Sequence, residues 1–397
     1  MFLGSFTLFM LAIGLLAPIF VFVVECGLAV VKPAEKKPNP EKTQRPTLAI
    51  LIPAHNEALV IGDTLAALLP QLTPKDEIVV IADNCTDNTV AIAANRGVQV
   101  LERTDDTRRG KGYALDYGMQ YLNKNPPEVV IILDADCKVS ANTITEIACK
   151  VKKTQRPVQA TYLMEQSLNP TAKDTISRLA LLIKNFVRPL GLASLGLPCL
   201  LTGSGMGFPW TVLAQVSLAG NKTADDMQLT VDLALAGFCP IYCHQARVIG
   251  RLMENQAAIS QRKRWEHGHL EMILTHSWVL FKQAFVQRRL DLLALALELF
   301  VPPLSLLVLF WLTVSLAGLG VAMVENIWIP LWILGIEGLL IVSAVLLAWA
   351  KFGRDHISAK NLLAIPMYIF WKIPIYLGFI LKPQTQWLTT ERDEPLS

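Results

Sequence analysis

Long apolar runs near both ends of the sequence constrain the fold of this chain more than any other feature. Residues 6–31 are almost wholly apolar, and Glu25 is the one charged residue among them. This run is long enough to cross a hydrocarbon core of about 30 Å. Because no Lys or Arg precedes it and no clear cleavage site follows it, the run predicts an uncleaved anchor over residues 1–31 rather than a signal peptide.

Two further apolar runs, residues 301–323 and 327–350, are joined by a short acidic turn. They predict a transmembrane hairpin over residues 301–350, preceded by a juxtamembrane or interfacial region at 271–300. Glu337 lies midway along the second of these runs. It is equally consistent with a polar contact in a membrane passage and with a hydrogen bond between helices.

Residues 361–382 form a fourth apolar segment, which is interrupted by Pro366, Lys372 and Pro374. A charged side chain in the middle of a bilayer is costly. The segment therefore predicts an interfacial or re-entrant helix in preference to a fourth span. Residues 383–397 follow it as a C-terminal tail.

Cationic residues flank these runs on one side. They are Lys32, Lys36, Lys37, Lys42 and Arg45 after the first run, and Arg288, Arg289, Lys351 and Arg354 around the hairpin. Cytoplasmic loops are enriched in Lys and Arg, so the part of the chain between the runs is predicted to face the cytoplasm. We expect an integral protein of the plasma (inner) membrane.

Composition is uneven along the chain. Of the 397 residues, 52% are hydrophobic and only 17% are charged, whereas soluble proteins average about a quarter charged residues. Residues 32–175 nevertheless have the polar punctuation of a soluble domain. This contrast excludes a disordered chain, an ordinary cytosolic enzyme and a pure multi-span transporter. The net charge of +3 gives no argument for a nucleic-acid partner, and the seven scattered cysteines predict reduced, packed thiols.

The soluble-looking part alternates short apolar runs with segments of helical spacing. The predicted strands are 48–53, 77–82, 98–101 and 129–133, and the predicted helices are 56–69, 89–95 and 112–122. Such alternation predicts an α/β fold with a mostly parallel sheet covered on both faces. Ligands of these sheets bind beyond the carboxyl ends of the strands.

Three carboxylates follow predicted strands. Asp83 ends the second strand, and Asp134 and Asp136 follow the fourth. Mg²⁺ and Mn²⁺ prefer carboxylate and phosphate oxygens, so the Asp134-Ala-Asp136 triplet predicts a site for one of these ions.

Two further polar segments open predicted helices. Residues 108–112 (RRGKG) place cations and two glycines at a helix N-terminus, which favours a diphosphate, with a solvated basic loop as the alternative. Residues 223–226 (TADD) precede an apolar helix. On spacing alone, helix capping is favoured there over a general base.

The string at residues 261–265 (QRKRW) is the most specific of the polar segments. Arg264 can hold phosphate oxygens and the Trp265 ring suits stacking on a sugar, while the alternative is a basic belt attracted to anionic lipid. His267 and His269 follow, but without a nearby third ligand we expect them to be surface or substrate-side residues rather than a metal site.

Together these motifs resemble those of family 2 glycosyltransferases, in the order seen there. The segments are Pro53-Ala-His-Asn-Glu57, Ala82 to Asp87, Arg109 to Gly112, Asp134 to Asp136, Asp225-Asp226 and Gln261 to Trp265. The resemblance is to the membrane-integrated branch: cellulose, chitin-oligosaccharide and hyaluronan synthases and ceramide glucosyltransferases. It implies a GT-A (Rossmann-like) fold over residues 46–270.

The resemblance also implies roles for individual residues. Asp226 is the catalytic base and Asp136 the metal ligand. The residues implied to bind the nucleotide sugar are Pro53, Glu57, Asp83, Lys111 and Asp134. The residues implied to bind the acceptor and the diphosphate are Gly203, Ser204, Gln261, Arg264 and Trp265. One departure concerns the nucleotide side, where the usual Asp-Asp turn is Ala82-Asp83.

The implied reaction moves a sugar from a UDP-sugar to a membrane-associated acceptor, with Mg²⁺ or Mn²⁺ and with inversion at the anomeric carbon. The acceptor is a growing glycan in a processive exopolysaccharide synthase, the form favoured by the Gln-x-x-Arg-Trp string. In a single-transfer enzyme the acceptor is a lipid, and the small number of membrane spans favours this kind of enzyme. A glycan channel through so few helices would require a homo-oligomer. A non-catalytic membrane scaffold is the remaining alternative.

Overall fold

The computed structural model describes residues 2–31, 45–165, 170–221, 224–251 and 255–381. Several predictions concern residues outside this description: the cations Lys32, Lys36, Lys37 and Lys42, residue Thr223, and the tail at 383–397. The described residues form an α/β domain and a set of long apolar helices.

Four apolar segments form the parallel half of one sheet. They are β1 (Leu48–Ala54), β2 (Glu77–Asp83), β3 (Gln99–Arg103) and β4 (Val129–Ile132). Their order is β3-β2-β1-β4, and every neighbouring pair is parallel. The predicted parallel sheet is therefore confirmed for these four strands, whose ends lie within two residues of the predicted ones.

The sheet continues beyond β4 with strands that the sequence pattern did not predict. They are β5 (Lys138–Val139), β6 (Val158–Met164), β7 (Met206–Pro209) and β8 (Ile241–Gly250), in the order β7-β6-β8-β5. β7 is antiparallel to both of its neighbours, β4 and β6, while β6 and β8 are parallel. The complete eight-stranded sheet is thus mixed.

Alternate residues of β1 show why its sequence is uninterruptedly apolar. Leu48, Ile50 and Ile52 belong to the hydrophobic core on one face of the sheet. Ala49 and Leu51 belong to the core on the other face. A strand that is covered on both faces needs apolar side chains at every position.

Helices cover both faces of this sheet. They are α2 (Ile61–Leu68), α3 (Thr89–Asn95), α4 (Lys111–Leu122), α5 (Thr143–Thr154), α6 (Ala172–Leu182), α7 (Arg188–Ala193), α8 (Trp210–Leu213) and α9 (Asp225–Leu235). α2 begins five residues later than predicted because Asn56 has a left-handed φ of 55° and its Oδ1 accepts the Thr86 N–H, which makes residues 56–60 a turn.

The remaining helices follow the domain or precede it. They are α1 (Phe2–Val31), α10 (Asn255–Gln287), α11 (Leu290–Phe300), α12 (Leu304–Glu325), α13 (Ile329–Ala348), α14 (Ala359–Leu362) and α15 (Ile365–Leu381). Three of the described helices, α1, α12 and α13, are long and apolar enough to cross a membrane, and α15 is a shorter apolar helix. That α15 lies at the interface stays a prediction. Glu337 of α13 is buried, and neither of its carboxylate oxygens has a hydrogen-bond partner among the described residues, so the hydrogen bond between helices is not found there.

A buried ion pair joins the first membrane helix to the domain. The Nε of Arg188, in α7, donates to Oε2 of Glu25, in α1, over 2.5 Å, and the same guanidinium donates to the Glu298 carbonyl of α11 over 3.1 Å. A Cβ at Gly191 would overlap the Glu25 carbonyl, so the two helices touch through their backbones. The sole charged residue of the first apolar run is thereby accounted for by a contact between helices.

Candidate active site

A cleft of about 240 Å³ opens at the carboxyl ends of β1, β2 and β4. All site residues predicted from the sequence line this cleft, except Ser204. The predicted residues that line it are Pro53, Glu57, Asp83, Lys111, Asp134, Asp136, Gly203, Asp226, Gln261, Arg264 and Trp265. Ser204 lies fully buried behind the cleft, where its Oγ accepts the Asp134 N–H over 3.0 Å. It therefore supports the triplet from behind.

The Asp134 carboxylate lies at the centre of the cleft beside a lysine. Lys111 Nζ, at the start of α4, donates to Asp134 Oδ1 over 2.5 Å and to the Gly203 carbonyl over 2.6 Å. Burial disfavours the Lys111 ammonium, but the carboxylates of Asp134, Asp225 and Asp226 outweigh burial and raise its pKa. The lysine remains a cation at neutral pH.

The Asp134-x-Asp136 triplet fits a hard divalent cation. Ligand atoms of Asp134, Asp136 and Cys137 lie within 4.8 Å of one another. Burial and the nearby Asp136 charge raise the pKa of Asp134, although Lys111 opposes them, so an added cation would stabilise the carboxylate. Burial raises the pKa of the Cys137 thiol well above its ordinary value, and a neutral, soft thiol is a poor ligand for Mg²⁺ or Mn²⁺. The two carboxylates fit such an ion and the thiol does not.

The basic loop at residues 108–112 divides into two parts. Arg108 and Arg109 are mainly exposed and pair with Asp105 and Asp106, so the alternative of a solvated loop holds for them. Lys111 alone of these cations lines the cleft. The second glycine also serves a different purpose from the one predicted: a Cβ at Gly112 would lie 2.7 Å from the Gly220 carbonyl oxygen, so this glycine lets α4 pack on a neighbouring loop.

Asp225 and Asp226 form the first turn of α9, which agrees with a favourable interaction with the helix dipole. Both also line the cleft. Burial, followed by the charge of Asp225, raises the pKa of Asp226 to about 6, while the ammonium groups of Lys184 and Lys111 oppose that rise. A carboxylate with such a pKa is ionised at neutral pH and is a stronger base than an exposed aspartate.

Because residues 261–265 are helical, their side chains point in different directions. Gln261, Arg264 and Trp265 share one face of α10 and line the cleft. Arg262 points elsewhere: its NH2 donates to Asp174 Oδ1 over 2.9 Å, and its guanidinium lies over the Trp371 ring. The interior location of these side chains contradicts the alternative of a basic belt on lipid.

His267 and His269 are buried, so the prediction of surface or substrate-side histidines is wrong. The Nε2 atoms lie 2.8 Å from the Ile375 carbonyl and 3.3 Å from the Leu299 carbonyl, respectively. Burial lowers the pKa of both imidazoles. Each histidine thus fixes α10 against a neighbouring helix.

On the nucleotide side, Asp83 is held by a neighbouring strand. Arg103 NH1 donates to Asp83 Oδ1 over 2.5 Å, and the carboxylate is largely buried. His55 Nδ1 lies 2.7 Å from the Asp83 carbonyl oxygen. Arg103 was not predicted, because it stands in no distinctive local pattern. His55 belongs to the motif Pro53 to Glu57, but no role was predicted for this histidine.

The sequence reasoning also missed Lys184, which lines the cleft from a single π-helical turn (Ile183–Val187) between α6 and α7. Such turns are frequent at functional sites. In the sequence, Lys184 and Arg188 are the two charged residues of the apolar segment 179–201, which is consistent with a membrane-facing rim for the acceptor. The segment packs against α1, with Leu179, Ile183 and Val187 in the same core as Phe22. A rim that contacts the acceptor beside the membrane helices stays a prediction.

Comparison with known proteins agrees with this fold. The family described as "Glycosyltransferase like family 2" matches residues 46–268. A probable glycosyltransferase of Bacillus subtilis (strain 168), YdaM, is 35% identical over 99 residues, which cover 23% of each chain. The 4,4'-diaponeurosporenoate glycosyltransferase of Staphylococcus aureus (strain USA300) is 35% identical over 92 residues, or 22% of this chain and 24% of the relative. The chain thus spans about a quarter of the length of the curated relatives it matches.

A solved structure covers far more of the chain. The mannosyltransferase PcManGT from Pyrobaculum calidifontis, solved with GDP-Man and Mn²⁺, matches 95% of this chain and 100% of its own, with a TM-score of 0.53. Since the two sequences are 17% identical, this likeness shows the fold.

Proposed function

Because the chain belongs to glycosyltransferase-like family 2, we propose that it transfers a sugar from a nucleotide sugar, in the first instance a UDP-sugar, to a membrane-associated acceptor. One observation carries the proposal: one cleft is lined by the two carboxylates of the Asp134-x-Asp136 motif, a base, three cationic side chains and an indole ring. The cations are Lys111, Lys184 and Arg264.

The side chains of the cleft divide the reaction between them. Asp226 takes the proton from an acceptor hydroxyl while that oxygen attacks the anomeric carbon of the donor. Lys111 and Arg264 stabilise the negative charge that develops on the leaving diphosphate. Since the acceptor oxygen displaces the diphosphate in one step, the anomeric centre inverts.

Asp134 and Asp136 would hold a Mg²⁺ or Mn²⁺ ion. When bound, this ion would stabilise the negative charge of the diphosphate. The raised pKa of Asp134 and the presence of Mn²⁺ in the Pyrobaculum structure support this assignment. Ser204 keeps the Asp134 backbone in place. Asp83, Pro53 and Glu57 are assigned to the nucleotide end of the donor.

Two forms of this function differ in their product. Single transfer to a lipid acceptor is supported by the narrow space behind the cleft, about 80 Å³, and by the Staphylococcus relative that is named for a diaponeurosporenoate acceptor. Processive synthesis of an exopolysaccharide is supported by the positions of Gln261, Arg264 and Trp265 in the cleft. A homo-oligomer would then have to supply the glycan channel.

We also propose that the domain faces the cytoplasm from the plasma (inner) membrane. Arg288, Arg289, Lys351 and Arg354 flank the helical hairpin on one side, and cytoplasmic flanks are rich in such cations. Lys351 Nζ donates to the Val30 carbonyl at the end of α1 over 2.5 Å, so the corresponding ends of α1 and α13 lie at the same level.

The test is transfer by membranes that contain the full chain. A panel of UDP-sugars, with GDP-mannose beside them, is supplied with Mg²⁺ or Mn²⁺, and products are identified by mass. One added sugar on a lipid-soluble product supports single transfer, whereas a ladder of sugars supports the processive form. Chelation with EDTA should stop either reaction, and added Mn²⁺ should restore it. The absence of transfer from every donor would contradict the proposal and favour the scaffold alternative.

A further inference from the structure

A second cavity lies behind the catalytic cleft, where the domain meets the membrane helices. We call it the juxtamembrane cavity. Its volume is about 80 Å³, and its lining includes Phe22 of α1, Leu304 of α12 and Tyr368 of α15. A space of this size holds about five water molecules or one small polar group.

The juxtamembrane cavity adjoins the cleft at three side chains. Leu181, Lys184 and Trp265 line both spaces. A ligand in the cavity would therefore lie next to the catalytic cleft. The rest of the lining comes partly from α6 and α10 and partly from α1, α12 and α15. An apolar tail of such a ligand would extend toward the latter three helices.

Four cations line the juxtamembrane cavity, and three of them have carboxylate partners. Arg188 pairs with Glu25, Arg262 with Asp174, and Lys372 with Glu266. The fourth cation, Lys184, forms no hydrogen bond or ion pair with any residue that the structure describes. The cavity consequently has one positive charge without a direct counter-ion.

Three carboxyl groups, Asp226, Glu266 and Glu298, act on Lys184 through space, but none of them forms an ion pair with it. Burial, together with the nearby Glu25 charge, raises the pKa of Glu298 to about 8, so this carboxyl is mostly protonated at neutral pH. Asp226 acts on the lysine from the cleft side, and Glu266, which lines the cavity, is paired with Lys372. Burial lowers the pKa of Lys184, as expected for an ammonium group that lacks a partner.

We propose that the juxtamembrane cavity binds the acidic head group of a membrane amphiphile, a phosphate or a carboxylate, with Lys184 as its counter-ion. An anion at this place would form the direct ion pair that the Lys184 ammonium lacks, and its apolar tail would extend toward α1, α12 and α15. The proposal concerns the binding of this amphiphile alone. It does not rest on the proposed function, in which the acceptor offers a hydroxyl group to Asp226.

The experiment measures binding without catalysis. Full-length protein in phosphatidylcholine nanodiscs is titrated by calorimetry with dodecyl phosphate, dodecanoate, dodecanol and inorganic phosphate, and empty nanodiscs serve as the blank. The acidic amphiphiles should bind at least tenfold more tightly than either dodecanol or inorganic phosphate. If dodecanol or inorganic phosphate binds as tightly as dodecyl phosphate, the proposal is wrong. This comparison of ligands uses the wild-type protein alone.

Variants then locate the binding site. Lys184→Met should weaken binding of dodecyl phosphate by about tenfold or more, because a hydrogen bond to a charged group is lost. Lys184→Arg should keep the affinity within about threefold, since it keeps the charge. Lys153→Met removes an exposed lysine of α5 and should change nothing.

The variant Lys111→Met distinguishes binding in the juxtamembrane cavity from binding at the donor end of the cleft. It should leave the binding of dodecyl phosphate intact if the anion occupies the cavity. Loss of binding in Lys111→Met together with normal binding in Lys184→Met would place the anion at the diphosphate position and overturn the proposal. Binding of the amphiphile by a protein that transfers no sugar would contradict only the proposed function.

Discussion

The raised pKa of Asp226 predicts an acid limb in the pH dependence of sugar transfer. Asp226 must be ionised to accept a proton, and its pKa is about 6. With that pKa, about nine-tenths of the carboxyl is ionised at pH 7 and about one-tenth at pH 5. The rate at saturating donor and acceptor should therefore fall about tenfold between these two pH values. An aspartate with an ordinary pKa would stay ionised throughout and give a flat profile.

Two neighbouring charges should shift this limb in opposite directions. The Asp225 carboxylate raises the pKa of Asp226, so Asp225→Asn should move the limb to lower pH. The Lys184 ammonium lowers that pKa, so Lys184→Met should move the limb to higher pH, and Lys184→Arg should restore it. Lys111 acts in the same direction as Lys184 but also holds Asp134, so it is kept intact in this series.

The assay measures initial rates between pH 5 and pH 8, with donor and acceptor at saturation at each pH. Donor affinity is measured in parallel, because a change in donor binding would imitate the loss of the base. A flat profile down to pH 5, or shifts of the same sign in Asp225→Asn and Lys184→Met, would refute the assignment of Asp226 as the titrating base.

Two further predictions concern stability. Gly112→Ala should lower the free energy of unfolding by about 2 kcal/mol, because the added Cβ would press on the backbone of Leu218 and Gly220, whereas Gly220→Ala meets nothing and should be neutral. Equal thermal unfolding temperatures of these two variants would contradict this packing argument. Arg188→Met should cost about 3–5 kcal/mol by leaving Glu25 buried without its partner. The double variant with Glu25→Leu should recover much of that loss in the same thermal unfolding experiment, and a double variant as unstable as Arg188→Met would show that the pair is not the cause.

The parallel half of the sheet could be predicted because its signals are local. β1, β2 and β4 are apolar at nearly every position and end in polar turns, and that pattern identifies strands covered on both faces. β7 escaped prediction because its four residues, Met206 to Pro209, have no recognisable period. Its antiparallel direction depends on the path of the intervening chain, and the sequence pattern does not reveal that path.

The candidate site was predictable where a motif combines residue type with spacing. The Asp134-x-Asp136 triplet and the i, i+3, i+4 spacing of Gln261, Arg264 and Trp265 bring side chains to one place by local geometry alone. Lys184 was not predictable, because its position depends on how α6 and α7 pack against α1. The burial of His267 likewise follows from contacts with α15 that are distant in sequence.

The most direct test of the central claim compares Asp226→Asn with the wild type in two measurements on the same preparation. These are donor affinity by calorimetry and transferred sugar by mass, with the nucleotide sugar that the donor panel selects. Asp232→Asn serves as the control, because Asp232 lies on the same helix and pairs with Gln228 outside the cleft. The account predicts that Asp226→Asn keeps donor affinity within about threefold and loses transfer by about a hundredfold or more, while the control keeps both. Full transfer by Asp226→Asn would contradict the account.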